Sequence, residues 1–100
     1  MRSKIFPDDM NAVFEGCITT LERLECTVKT SDFNSGIITA SKAGGHFSYG
    51  HSVKIKIKRV KADNLKVNVT SNSVGIPLIY WRKNSQIEVA IIAVLTLLLK

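Results

Sequence analysis

The sequence predicts an α+β fold: an antiparallel, three- to four-stranded meander with N- and C-terminal helices packed on one face. Three observations carry this. Apolar residues recur every three or four positions across residues 9–24, the period of a helix face. From Leu24 to Val69 they recur at every second position within short runs, the period of a half-buried strand. Residues 87–99 form a nearly continuous apolar run behind a helix-start signal.

The first helix is read from Met10, Val13, Phe14, Cys17, Leu21 and Leu24, which share one stripe. Asp8 is the expected N-cap, and Asp8 and Asp9 both suit the positive end of the helix dipole. Gly16 weakens this helix by about 1 kcal/mol relative to alanine and leaves room for a close approach. The period then changes to two. Leu24, Cys26 and Val28 alternate with Glu25, Thr27 and Lys29 in a first strand. "SDFNSG" has the composition of a loop. "GIITASK" is a second strand with Ile38 and Ala40 inward, and "AGGHFSYGH" is a connection turned by Gly44 and Gly45.

The next two strands are the clearest. Val53, Ile55 and Ile57 alternate with Lys54, Lys56 and Lys58. After a turn at Ala62-Asp63-Asn64, Leu65, Val67 and Val69 alternate with Lys66, Asn68 and Thr70. This is a hairpin with one apolar and one polar face. Lys58-Arg59 interrupts the alternation and marks a bulge. "SNSVGIP" reads as a loop, and "LIYW" as a short edge strand or an apolar plug, because Pro77 argues against a central strand. Ser85 with Glu88 has the form of a capping box, so the last helix is expected to start there. Its β-branched residues leave a strand as the alternative.

One hundred residues make one domain, spanning 1–100. The net charge of +6 is uneven: residues 1–34 hold four bases against six acids, and residues 35–100 hold ten bases against two acids. Cys17 and Cys26 lack metal-site spacing and the C-x-x-C pattern, and read as two buried free thiols. The basic start "MRSKIFPDDM" has no apolar segment behind it. It therefore reads as no signal peptide, which points to the cytoplasm, with the envelope open if the chain is truncated. The apolar residues 87–99 reach only about 20 Å as a helix, too short to span a bilayer core of about 30 Å.

Two surfaces are candidates for function. The polar sheet face collects Lys54, Lys56, Lys58 and Lys66, with Lys29 nearby, as a possible anion-binding site. Such a face can track phosphates, but it lacks the interleaved rings that stack bases; Phe47 and Tyr49 stand at its loop edge. Lysines there also discourage edge-to-edge aggregation. The second surface is the last helix, apolar on nearly all sides. With Ile87, Ile91, Leu95 and Leu98 turned to the sheet, Val89, Ile92 and Leu99 need another cover, and Trp81 and Tyr80 stand just before them. Self-association or docking of a protein partner through this surface is the expected function, ahead of nucleic-acid binding. A pocket between helices and sheet is a further option.

No catalytic constellation is found, and neither a cofactor nor a metal site is expected. His46 and His51 have no third ligand nearby in sequence. Ser48 stands in no nucleophile elbow. "AGGH" is not followed by Lys-Ser or Lys-Thr, as a phosphate-cradling loop would be. "NVT" at Asn68 matches a glycosylation acceptor but lies in an expected strand.

The order "DDMNAVFEGCITTLERL", "SDFNSGIITASK" and "YWRKNSQIE" resembles a widespread type of small bacterial α+β domain, found in uncharacterised proteins and envelope lipoproteins. The resemblance lies in the acidic helix start, Gly36-Ile37-Ile38 with Ala40, and Trp81-Arg82-Lys83 before the last helix. It implies the same fold and a scaffold or binding role, and brings no catalytic residues.

Overall fold

The structure is a computed structural model that describes residues 2–42, 51–62, 64–73 and 77–99; for 73 and 77–85 it describes the backbone alone. The element order is β1 (Arg2–Phe6), α1 (Met10–Arg23), β2 (Cys26–Asp32), β3 (Ile37–Lys42), β4 (His51–Lys61), β5 (Asn64–Ser73) and α2 (Pro77–Leu98). The strands form one antiparallel sheet in the order β1-β5-β4-β3-β2. The fold is α+β, as the sequence predicts, with five strands rather than three to four. The expected connection from Gly44 to Tyr49, with His46, Phe47 and Ser48, lies outside the described residues.

β2 to β5 are the meander that the alternation foretells. Val53, Ile55, Ile57, Leu65, Val67 and Val69 are all buried, while Lys54, Lys56 and Lys58 are exposed. The buried face meets both helices. Val13, Cys17 and Leu21 of α1 share one core with Ile91 and Leu95 of α2 and with the inward residues of β3, β4 and β5. The helices touch at Gly16: a β-carbon there would stand 2.9 Å from Leu95 Cδ1 and 3.4 Å from Leu99 Cδ2. The missing side chain therefore admits Leu95 of α2 and Leu99 just beyond its end. α2 packs chiefly on β5 and β1, and α1 beside it on β2. Burying apolar side chains of this size stabilises the fold by roughly 1.5–3 kcal/mol each before entropy is counted.

Four local expectations are corrected. The first helix is capped by Asp9, whose carboxylate accepts from Ala12 N–H at 2.7 Å, one residue after Asp8. "RSKIF" is an unforeseen edge strand; only Phe6 of its five residues is buried, so it shows no alternation. "LIYW" is not a strand but part of the first turns of α2. Pro77 opens that helix, where a missing N–H costs nothing. The capping box at Ser85 consequently falls inside the helix. Glu88 is buried and accepts from the Ser71 backbone N–H of β5 at 2.8 Å. The helix is thus 22 residues long, about 33 Å, so length does not bar it from spanning a bilayer. Arg82, Lys83 and Glu88 interrupt its apolar run, and no described helix is long and apolar enough to cross a membrane.

Turns follow local chemistry. Asp32 accepts from the backbone of Asn34 and Ser35, and its carbonyl accepts from Gly36 N–H. Gly36 has φ +71°, and its carbonyl accepts from Ile57 N–H at 2.7 Å. The α1 C-terminus is closed by Lys42, whose ammonium donates to the Leu24 carbonyl at 2.6 Å; a cation there also suits the helix dipole. β4 carries a register shift between Arg59 and Lys61, one residue beyond the break in alternation. A second shift lies in β2 between Val28 and Thr30.

Candidate functional site

The lysine face is built by strand pairing. Lys54 stands between Thr39 of β3 and Thr70 of β5; Lys56 stands between Ile37 and Asn68. Lys58 lies directly opposite Lys66. Like charges placed opposite one another are destabilising by a few tenths of a kcal/mol to about 1 kcal/mol. Lys54, Lys56 and Lys58 are exposed and Lys66 is half-buried. The four expected residues therefore do share one face. Around them lie hydroxyls and amides from Thr39, Thr70 and Asn68, whose covered Oδ1 takes no hydrogen bond among the described residues. Lys29 is exposed too, at the β2 bulge on the far edge.

Of the expected association residues, Val89 and Ile92 line one groove, whereas Leu99 packs towards α1. Val89 is 46% exposed. Ile92 and Leu99 are partly buried against the core, Leu99 beside Gly16 of α1. The side chains of Trp81 and Tyr80 lie outside those described. The uncovered stripe instead runs along Val89, Ala93 and Leu97, four residues apart; Leu97 is the most exposed large apolar side chain described, at 69%. This spacing was available in the sequence, but a helix apolar on all sides does not say which stripe faces water.

Beside that stripe lies an open groove of about 810 Å³ between α2 and the edge strand β1. Its α2 wall is Val89, Ile92, Ala93, Thr96 and Leu97, and its β1 wall is Arg2, Ser3 and Lys4. Pairing with β5 sets Arg2 opposite Val69 and Lys4 opposite Val67, so both cations point to the helix side of the sheet. Lys4 donates to the Thr96 hydroxyl at 3.0 Å and lies 5.5 Å from the Phe6 ring centre. Thr96 in turn donates to the Ile92 carbonyl at 2.7 Å. The arrangement suits an amphipathic anion: an apolar wall, and an ammonium with donors to spare.

Cys17 and Cys26 are free and buried. Burial pushes the Cys17 thiol up to about 12. Burial also raises that of Cys26, while the neighbouring Lys42 ammonium pulls it partly back. His51 is buried at the start of β4, and no three His, Cys, Asp or Glu side chains converge among the described residues. No family model and no curated protein matches this sequence.

Proposed function

We propose that this is a non-enzymatic domain that works by association, through the outward stripe of α2, with either a protein partner or a second copy of the chain. The observation that carries the reading is the exposed run Val89, Ala93 and Leu97 beside the β1–α2 groove. An apolar stripe left in water, with two large side chains on it and a groove beside it, is characteristic of an interaction surface. The raised thiols favour this over nucleophilic chemistry, since the thiolate is the reactive form. The scaffold or binding role implied by the resemblance to small bacterial α+β domains agrees with it. The test uses light scattering for self-association and a photoreactive group at position 97 for cross-linking to a partner. Self-association lost in Leu97→Glu, or a cross-link from position 97 to a partner, supports the reading. A chain that stays monomeric at high concentration and gives no cross-link ends it.

A second reading is supported by the opposed pair Lys58 and Lys66: an anion bridging them would relieve their repulsion. Under it, Lys54, Lys56, Lys58 and Lys66 hold a polyanion. Heparin retention should then fall steeply with salt and drop in Lys54→Ala/Lys56→Ala. Retention unchanged by those substitutions ends this reading.

A further inference from the structure

We infer that the partner of the β1–α2 groove is an acidic, partly apolar segment of another protein, which adds to the sheet as a sixth strand beside β1. This deepens the docking reading above and rests on it. Three features meet at the groove. β1 is the last strand of the sheet, so one side of its backbone has no strand neighbour among the described residues. Its pairing with β5 runs without a register shift from Arg2 to Phe6. The opposite edge, β2, differs: it is bulged between Val28 and Thr30, and a bulge in an edge strand discourages strand addition. The edge left regular is the one beside the exposed stripe of α2.

Charge selects the occupant. On the helix side of β1 the added strand meets Lys4, held between Thr96 and the Phe6 ring. A carboxylate there takes the remaining ammonium donors. On either side of that acid, apolar side chains reach Val89 and Leu97. On the other sheet face the strand meets Ile5, which is 52% exposed. Strand addition of this kind draws affinity from main-chain hydrogen bonds and specificity from alternate side chains. A second copy is a poorer occupant. Pairing β1 antiparallel with β1 of a second copy in the centred register sets Lys4 directly against its own counterpart, with Arg2 opposite Phe6, and the like charges at the centre disfavour that. Of the chain's own acids, Glu15 and Glu22 lie on α1, and Asp32, at the end of β2, already accepts from the Asn34 and Ser35 backbone.

The experiment titrates the protein into fluorescein-labelled Asp-Leu-Thr-Glu-Val-Leu-Asp and reads anisotropy. Saturable binding is expected, at least tenfold tighter than to the same peptide with lysine for its three acids. Lys4→Glu should reverse that preference. Leu97→Ser, at a site too exposed to unfold the protein, should weaken binding severalfold. N-methylation of alternate peptide amides on the β1 side should abolish it. Equal binding of both peptides, indifference to Lys4→Glu, or tolerance of N-methylation overturns the inference. So does an acidic peptide that fails to bind at millimolar concentration. If it fails while cross-links from position 97 join two copies, this inference falls and the docking reading stands. If it fails and no cross-link forms, both fall.

Discussion

The carboxylate of Glu88, in the middle of α2, accepts a hydrogen bond from the backbone N–H of Ser71 at 2.8 Å, and both residues are buried. The pairing of β1 with β5 ends at Arg2 and Val69. Glu88 therefore accepts two residues beyond the last described β1–β5 pair, and it ties the helix to the sheet. Removing it takes this acceptor from a buried N–H, which costs about 1–3 kcal/mol. Glu88→Ala is expected to lower stability by about 2–3 kcal/mol in urea unfolding. Glu88→Gln, which keeps an acceptor of the same length, should lose less. Equal losses would mean that the hydrogen bond is not what Glu88 contributes.

Glu25 and Gly36 both have left-handed backbone, with φ of 62° and 71°, and the same substitution logic gives them opposite signs. Glu25 follows the α1 C-cap, where glycine is the preferred residue, and a side chain in this conformation costs roughly 1–2 kcal/mol. Glu25→Gly is expected to raise stability by about 0.5–1 kcal/mol, after the greater chain entropy of glycine is offset. At Gly36 a β-carbon would stand 2.5 Å from the Ile57 carbonyl oxygen, which is backbone within the sheet and cannot swing away. Gly36→Ala should destabilise by more than 2 kcal/mol, adding overpacking to the conformational cost. Chemical denaturation of the two variants beside the wild type checks both signs.

The alkaline limit of stability should show Cys17. Burial raises its thiol from 9.0 to about 12, so the folded state favours the neutral form. The contribution is complete below pH 9 and is lost as pH rises from about 9 towards 12. The slope there is about 1.4 kcal/mol per pH unit. Cys17→Ala loses core packing at neutral pH but has no such slope. The stability gap between it and the wild type should therefore narrow between pH 9 and 10.5. A gap constant with pH would show that the thiol is not protected by the fold.

On the lysine face, Lys66 opposite Lys58 predicts a gain from charge reversal. Lys66→Glu replaces a repulsive cross-strand pair with an attractive one. It should stabilise by about 0.5–1 kcal/mol at low salt, and by much less at 1 M salt, where screening acts within about 3 Å. Thermal unfolding in both buffers tests this, with Lys54→Glu, facing Thr39 and Thr70, as the control that should gain little.

Which parts of this fold could be read in the sequence follows from how far each residue's partners lie. Val53, Ile55 and Ile57 announce a strand because three inward residues alternate with three lysines, and that pattern is complete within the strand. Arg2–Phe6 announces nothing: Ile5 is exposed and its neighbour Phe6 buried, and its place is set by Leu65 to Val69, distant in the chain. Glu88 three residues after Ser85 looks like a local cap, since spacing cannot tell a bond to the helix's own start from one to another strand. Lys4 was invisible as part of a groove because the strand that carries it was unforeseen. The lysine face needed only alternation, so its four residues could be named in advance.

Leu95 and Leu97 decide whether the two faces of α2 are correctly assigned. They are two residues apart in one helix and chemically identical, yet Leu95 is fully buried and Leu97 is 69% exposed. Truncating a buried leucine costs about 2–5 kcal/mol through lost transfer energy and the cavity left behind. Leu95 also packs against Gly16, so α1 cannot collapse onto the space without moving as a body. Leu95→Ala is therefore expected to cost about 3–4 kcal/mol, enough to threaten folding at 37 °C in a domain of ordinary marginal stability. Leu97→Ala should change stability by less than about 0.5 kcal/mol. The comparison needs only unfolding curves of two single variants. Similar losses at both positions would mean that Leu97 is covered within the monomer, and the outward stripe on which association depends would not exist.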